Sequence, residues 1–325
     1  MYIWGPGMQR SKSVSLILLA LVFCLTKCLH AQAPAAPPFT LKQVAPNVWA
    51  AIADFNGSAG GNGGFVIGDD SVLVIDTFTT FDAAQQLLAE IHKLTALPIK
   101  FVINTHYHLD HVGGNRVLAD AGATVLAQRN VGRWIISENL RLIGQNAPPE
   151  LKAITDGIAA PTVLYEQGVD LYLGSRKIQV RSFPGHTGGD SVVLVPDANV
   201  VFCGDLFWSH SLPNLVDATT RSWIETLDIL IKTQPKSTFV SGHADVGNVD
   251  DVAAFREYLQ NLRALVAEGQ KQGKPDDALI ETVLPVLSEK YRDWNFFTYV
   301  AKPNILDVSA ELEGTKRIPP VDMPK

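Results

Sequence analysis

The sequence predicts an α/β protein in which two β-sheets pack together with helices on their outer faces. Three observations predict it. Strand-like runs fall in two clusters, from Val48 to Asp76 and from Val163 to Cys203, and each is followed by segments of helical periodicity. A helical stretch lies between two apolar strands, which makes a βαβ unit. The histidines and aspartates with ligand chemistry all fall where strands end, the place where a rigid scaffold presents irregular backbone.

Order is expected to begin near Phe39, after an Ala/Pro-rich linker from Ala31 to Pro38. The runs VWAAIADF, FVIG and SVLVID read as strands around the glycine loop GSAGGNGG. Thr80 to Leu94 carries Phe81, Ala84, Leu87, Leu88 and Ile91 at helical spacing, and Ile99 to Asn104 reads as a buried strand. A short helix over Asn115 to Asp120, a strand over Thr124 to Ala127 and one helix over Asn130 to Ile143 follow. Gly144 to Pro161, rich in proline and polar residues, is expected to be an irregular cover. VDLYLG, KIQVRSF, SVVLVP and NVVFCG form the second set of strands. Helices are expected at Thr220 to Lys232, Asp250 to Lys271 and Pro275 to Tyr291, with the strand TFVSG after the first. The proline-rich, charged end reads as a frayed surface segment.

The first residues differ from the rest. Arg10 and Lys12 precede an apolar run from Val14 to Phe23, and Ala31 and Ala33 offer small residues for cleavage, so residues 1–33 read as a secretory signal. The protein is expected to be periplasmic or secreted. Cys24 and Cys28 follow Phe23 and Lys27, where a lipid-anchoring signal carries a small residue, so no lipid anchor is expected. Cleavage leaves Cys203 as the only thiol, and it reads as a small buried residue. Loss of the leader's three cations takes the formal charge from −6 to about −9, which disfavours nucleic acid as a partner. No later stretch reaches membrane-spanning length. The chain therefore divides into the signal, a linker and lead-in to the first strand at 34–47, a core domain at 48–248 and a helical extension at 249–325. That extension either packs into the core or covers the site; Val252, Phe255, Leu259, Leu262 and Leu265 give it one buried face. The oligomeric state is not legible.

The chemistry concentrates in VINTHYHLDHVGGN, where His106, His108, Asp110 and His111 lie within six residues of one another after a buried strand. In a tight loop His106 and His108 can converge on one ion while Asp110 and His111 turn toward a second, and Gly113 and Gly114 permit a sharp bend. His186 in FPGHTGGD, Asp205 in FCGDLF and His243 in VSGHAD each follow a strand and a glycine. Five imidazoles and two carboxylates suit two zinc ions and are compatible with iron or manganese. Asp76, ending VLVID, reads either as a support for a ligand or as a turn residue. Thr187 and Asp190 read either as supports for the His186 loop or as turn residues. His210 is a candidate for lining a substrate pocket or a surface loop residue, and Trp134, Trp208 and Tyr107 read either as shaping an apolar pocket or as packing.

THYHLDHVGG, PGHTGGD, CGDLF and SGHAD together resemble the metal motifs of the metallo-β-lactamase superfamily, in the same order, over about Val48 to Val246. The resemblance implies an αββα sandwich of two mixed β-sheets flanked by helices, with metals at one edge. It implies that His106, His108 and His186 hold one metal, that Asp110, His111 and His243 hold the other, and that Asp205 bridges them. The activity implied is that of a hydrolase in which a hydroxide generated between the cations attacks a carbonyl of a small-molecule ester, thioester, lactone or β-lactam. Asp110 would orient that hydroxide or pass a proton to the leaving group. Having both His111 and Asp205 is more similar to the glyoxalase II and lactonase branches than to the true β-lactamases. Two other readings are an iron-dependent persulfide dioxygenase, which uses fewer of these ligands, and a non-catalytic extracytoplasmic binding protein, which usually loses some.

Overall fold

A computed structural model of the chain describes residues 36–320. The secretory signal read from residues 1–33 lies outside the described residues. Phe39–Ala45 (β1) and Val48–Ala53 (β2) form a hairpin whose turn holds Asn47 at a positive φ of 61°. Asparagine tolerates that left-handed conformation better than most residues. Gly63–Ile67 (β3), Val72–Ile75 (β4), Ile99–Asn104 (β5), Thr124–Gln128 (β6) and Val163–Tyr165 (β7) complete a seven-stranded sheet in the order β1-β2-β3-β4-β5-β6-β7. Pairing is antiparallel from β1 to β4 and parallel from β4 to β7. The change of sense at β4 follows from the connection: the helix Phe81–Leu94 carries the chain over the sheet before β5.

The second sheet contains Gly168–Leu173 (β8), Arg176–Ser182 (β9), Ser191–Val195 (β10), Val200–Phe202 (β11) and Thr238–Val240 (β12), in the order β12-β11-β10-β9-β8. Only β11 and β12 run parallel, joined through the helix Thr220–Thr233. Both sheets are mixed.

Period-two alternation decides which side chains meet. Leu73 and Ile75 of β4 point into the layer between the sheets, where Val66 and Ile103 join Leu173, Val180, Val193 and Phe202 from the other sheet. Val72 and Val74 face outward onto Ala84, Leu87 and Ile91 of the helix Phe81–Leu94. A strand buried on both faces must be apolar throughout, as β4 is. On the far side Val192, Val201 and Phe239 pack against Trp223, Leu227, Phe255 and Leu259. The layers are therefore helix, sheet, sheet, helix, the expected αββα sandwich.

The helical extension does both things that were left open. Helix Val249–Lys271 is fixed at its start by Asn248, whose side chain accepts from the backbone N–H of Asp250 and Asp251, while Asp251 returns a bond to Asn248. Its buried face, together with helices Asp276–Tyr291 and Phe297–Glu313, shares one core with the second sheet. Phe296 and Val300 also reach the wall of the central cavity.

Three local expectations are corrected. Asn130 to Ile143 forms two short helices, Arg129–Trp134 and Ser137–Ile143, and at the break the Asn139 side chain donates to the carbonyls of Ile135 and Tyr107. The cover from Gly144 to Pro161 contains the helix Pro149–Gly157, because proline at a first helical position breaks nothing. The chain end is not frayed up to residue 320. Lys316 Nζ donates to the carbonyls of Leu215 and Ala218, and Arg317 pairs with Glu138. Helix Phe297–Glu313 itself was not anticipated, since Pro303 lies inside it.

Candidate metal centre

Strand β5 delivers the central motif. After Asn104 the chain passes Thr105, His106, Tyr107 and His108 and then winds into one helical turn, Leu109–Val112. The tight loop expected here is thus half helix, and Asp110 and His111 from this turn join a different group from His106 and His108. Gly113 and Gly114 answer a need for space rather than for a sharp bend, because both have ordinary negative φ. A Cβ on Gly113 would lie 1.9 Å from the Thr79 carbonyl oxygen, and one on Gly114 would lie 2.2 Å from that of Thr77.

The remaining residues arrive from the ends of β9, β11 and β12 at the same edge of the sandwich. The ligand atoms form two groups: His106, His108, His186 and Asp205 in one, and Asp110, His111 and His243 in the other, each within a 4.8 Å span. His108 Nδ1 lies 2.9 Å from His186 Nε2. Asp205 joins the groups through its two oxygens. Oδ2 lies 3.2 Å from His186 Nε2 and 3.7 Å from His106 Nε2, whereas Oδ1 lies 3.2 Å from His111 Nε2 and 3.5 Å from His243 Nε2. Asp110 Oδ2 closes the second group, 3.3 Å from His243 Nε2 and 3.6 Å from His111 Nε2.

These atoms fit a metal on physical grounds. Nε2 of His106, Nε2 of His111 and Oδ1 of Asp205 are buried without a hydrogen-bond partner in the protein, a costly state that a cation at the centre relieves. The charge balance points the same way. Burial alone would raise the Asp205 carboxyl, but the imidazoles of His243, His111, His106 and His186 hold it well below its usual range. Burial would lower His243, yet Asp205 and Asp110 bring it up to about 9. His111 is likewise raised, by Asp205, Asp110 and Asp76, against its own burial. The carboxylates favour positive charge at this point, which a bound divalent metal would supply.

Supporting side chains fix the ring orientations. Asp76 both ends its strand at a positive φ of 56° and holds a ligand, with Oδ2 2.9 Å from His111 Nδ1. The same carboxylate accepts from the Thr105 N–H and hydroxyl, and Thr105 Oγ1 in turn faces His106 Nδ1 at 3.1 Å. Asp190 accepts from the N–H and hydroxyl of Thr187 and so closes the His186 loop. Cys203 is buried and apart from both ligand groups, and burial pushes its thiol up.

Beside the groups lies a cavity of about 520 Å³ whose floor includes His108, Asp110, His186, Asp205 and His243. Its walls are largely apolar, with Leu109, Leu142, Ile143, Trp208, Leu212 and Phe296 among them. Of the four residues offered as lining it, Trp208 does so, stacked on His243, while Tyr107, His210 and Trp134 do not. Tyr107 is fully buried behind the site, where its hydroxyl donates to Asp217. His210 also lies elsewhere, with an exposed ring that faces Asp251 and Trp294. Trp134 packs on Tyr107 and donates to the Pro320 carbonyl. Asp217, Arg141 and Phe296 were not anticipated, since nothing in their local sequence marks them and only the fold brings them to the site.

An edge-of-sandwich cluster of this composition, on this fold, belongs to the class of metal-dependent hydrolases, and comparison with known proteins bears this out. The family model described as the metallo-beta-lactamase superfamily matches residues 57–243, more than half of the chain, and the chain belongs to that superfamily. Curated relatives include the hydroxyacylglutathione hydrolases of Brucella ovis and Brucella abortus. Each is 29% identical over 221 residues, covering 66% of this chain and 76% of the relative. Among solved structures, a metallo-beta-lactamase from Pontibacter korlensis superposes with a TM-score of 0.56 at 22% identity, covering 69% of this chain and 99% of its own. That likeness concerns the fold.

Proposed function

We propose that the protein is an exported, dinuclear zinc hydrolase that cleaves the carbonyl of a small ester, thioester, lactone or lactam. The observation that carries the two-metal reading is the Asp205 carboxylate, whose oxygens face different ligand groups. A carboxylate so placed can give one oxygen to each of two ions, whereas a single ion would leave the other oxygen among imidazoles with no cation. Bound zinc would lower the pKa of water toward neutrality and polarise a carbonyl oxygen.

The protein's own side chains do the rest. His106, His108 and His186 would hold one ion, Asp110, His111 and His243 the other. Asp110 is the most exposed of the seven, with 31% of its side chain accessible, and it borders the cavity. It is placed to orient the attacking water and to carry a proton to the leaving group. The apolar walls receive an acyl chain or ring and exclude water from it. The names of the Brucella relatives support an acyl-transfer-to-water reaction over oxygen chemistry, as does the complete set of seven ligands. Export rests on the leader sequence alone.

The test is a panel of chromogenic ester, thioester, lactone, β-lactam and phosphodiester substrates on zinc-reconstituted protein, with oxygen uptake followed in parallel. Hydrolysis of a carbonyl substrate, abolished by chelation and reduced about 10²-fold or more in Asp110→Ala, is expected. Oxygen consumption with one bound iron would overturn the reading.

A further inference from the structure

The three histidines of the central motif differ in how their outward nitrogen is held. His106 and His111 direct Nε2 to the ligand groups and Nδ1 to Thr105 and Asp76. His108 is turned the other way. Its Nδ1 lies 2.9 Å from His186 Nε2, within the ligand group, so its Nε2 points outward and is buried without a hydrogen-bond partner.

The carboxylate facing that nitrogen is Asp217, with Oδ2 at 3.7 Å. Asp217 is 2% exposed and rigidly held. Arg141 donates to both of its oxygens, at 2.7 and 2.8 Å, and the Tyr107 hydroxyl donates to Oδ2 at 2.5 Å. Arg141 is braced in turn by Glu138, and Glu138 by Arg317 near the chain end. Paired with the Arg141 guanidinium and accepting from the Tyr107 hydroxyl, the Asp217 carboxylate faces His108 Nε2 as an acceptor.

We propose that Asp217 is a positioning residue for His108: it takes the Nε2 hydrogen of that ring, fixes the tautomer, and leaves the Nδ1 lone pair directed at the metal. The inference rests on the two-metal reading above. A ligand histidine whose outer N–H is bound by a carboxylate is oriented before the ion arrives, and it is a better donor. Without Asp217 the ring would lose both its preferred tautomer and its fixed angle. The chain of Arg317, Glu138 and Arg141 then has a role beyond pinning the C-terminal segment, because it holds that carboxylate in register with the site.

The experiment is zinc affinity by chelator competition in the full-length protein, for wild type, Asp217→Asn and Tyr107→Phe, with the thermal stability of the metal-free forms. Asp217→Asn should weaken zinc about 10–100-fold, whereas Tyr107→Phe, which keeps the carboxylate and removes one of its donors, should weaken it less. A merely structural Asp217 would lower metal-free stability and leave zinc affinity intact, which overturns the proposal. Should Asp217→Asn fail to fold, nitrogen-15 NMR of histidine-labelled, metal-free wild type decides: His108 protonated on Nε2 supports the proposal, and on Nδ1 contradicts it. Wild type that takes up no zinc would overturn the metal reading itself, an outcome distinct from an unaffected Asp217 variant.

Discussion

The indole of Trp208 lies nearly flat on the imidazole of His243, with ring centroids 4.0 Å apart and planes 24° from parallel. Its Nε1 donates to the backbone carbonyl of Asp205 at 3.1 Å. One side chain thus braces His243 and the backbone of Asp205, and it forms a cavity wall at the same time.

Trp208→Ala removes that brace. The loss of a buried indole should cost about 3–5 kcal/mol, and zinc should be lost first from the group containing His243. Trp208→Phe keeps a stacking ring and should recover most of both. Denaturant unfolding and metal analysis of the two variants check this; full zinc retention in the alanine variant would show that the stack does not matter to the site.

Gly242 lies where the β12 loop crosses Asp205. A Cβ there would sit 1.9 Å from Asp205 Oδ1 and 2.7 Å from the Gly204 backbone, so neither side can yield without moving the Asp205 carboxylate. Gly242→Ala is expected to destabilise by about 1–3 kcal/mol and to lower zinc stoichiometry. Metal content measured on folded variant is the check, and an unchanged ratio would contradict the assignment of that carboxylate.

Cys203 is two residues from Asp205 yet stands 1% exposed, and burial alone pushes its thiol up. It should not react with a thiol reagent in the native protein and should react on unfolding. Zinc content should be unaffected in Cys203→Ser. Rapid native labelling would indicate that the β11 edge opens.

Much of the fold was legible because its strands and helices carry their own periodicity. β4 is apolar on both faces, β5 is buried along most of its length, and the helices Phe81–Leu94 and Val249–Lys271 show one buried stripe each. Prolines misled where position matters more than presence: Pro149 starts a helix and Pro303 sits within one. The seven ligand candidates were legible because histidine is scarce and recurs after strand ends. Asp217, Arg141 and Phe296 were not, since each reaches the site through tertiary packing that no local pattern encodes. Tyr107 shows the converse error. It sits between two ligands in sequence, but the alternation that sends His106 and His108 toward the groups sends the intervening ring into the core.

The most direct test of the account is zinc stoichiometry at saturation, measured on wild type and on Asp205→Ala. Two ions per wild-type chain are expected, with the variant holding no more than one firmly and losing most of its hydrolytic rate. A saturated wild type with a single ion, or an Asp205→Ala variant that keeps two, would contradict the central claim that one carboxylate joins two metal sites.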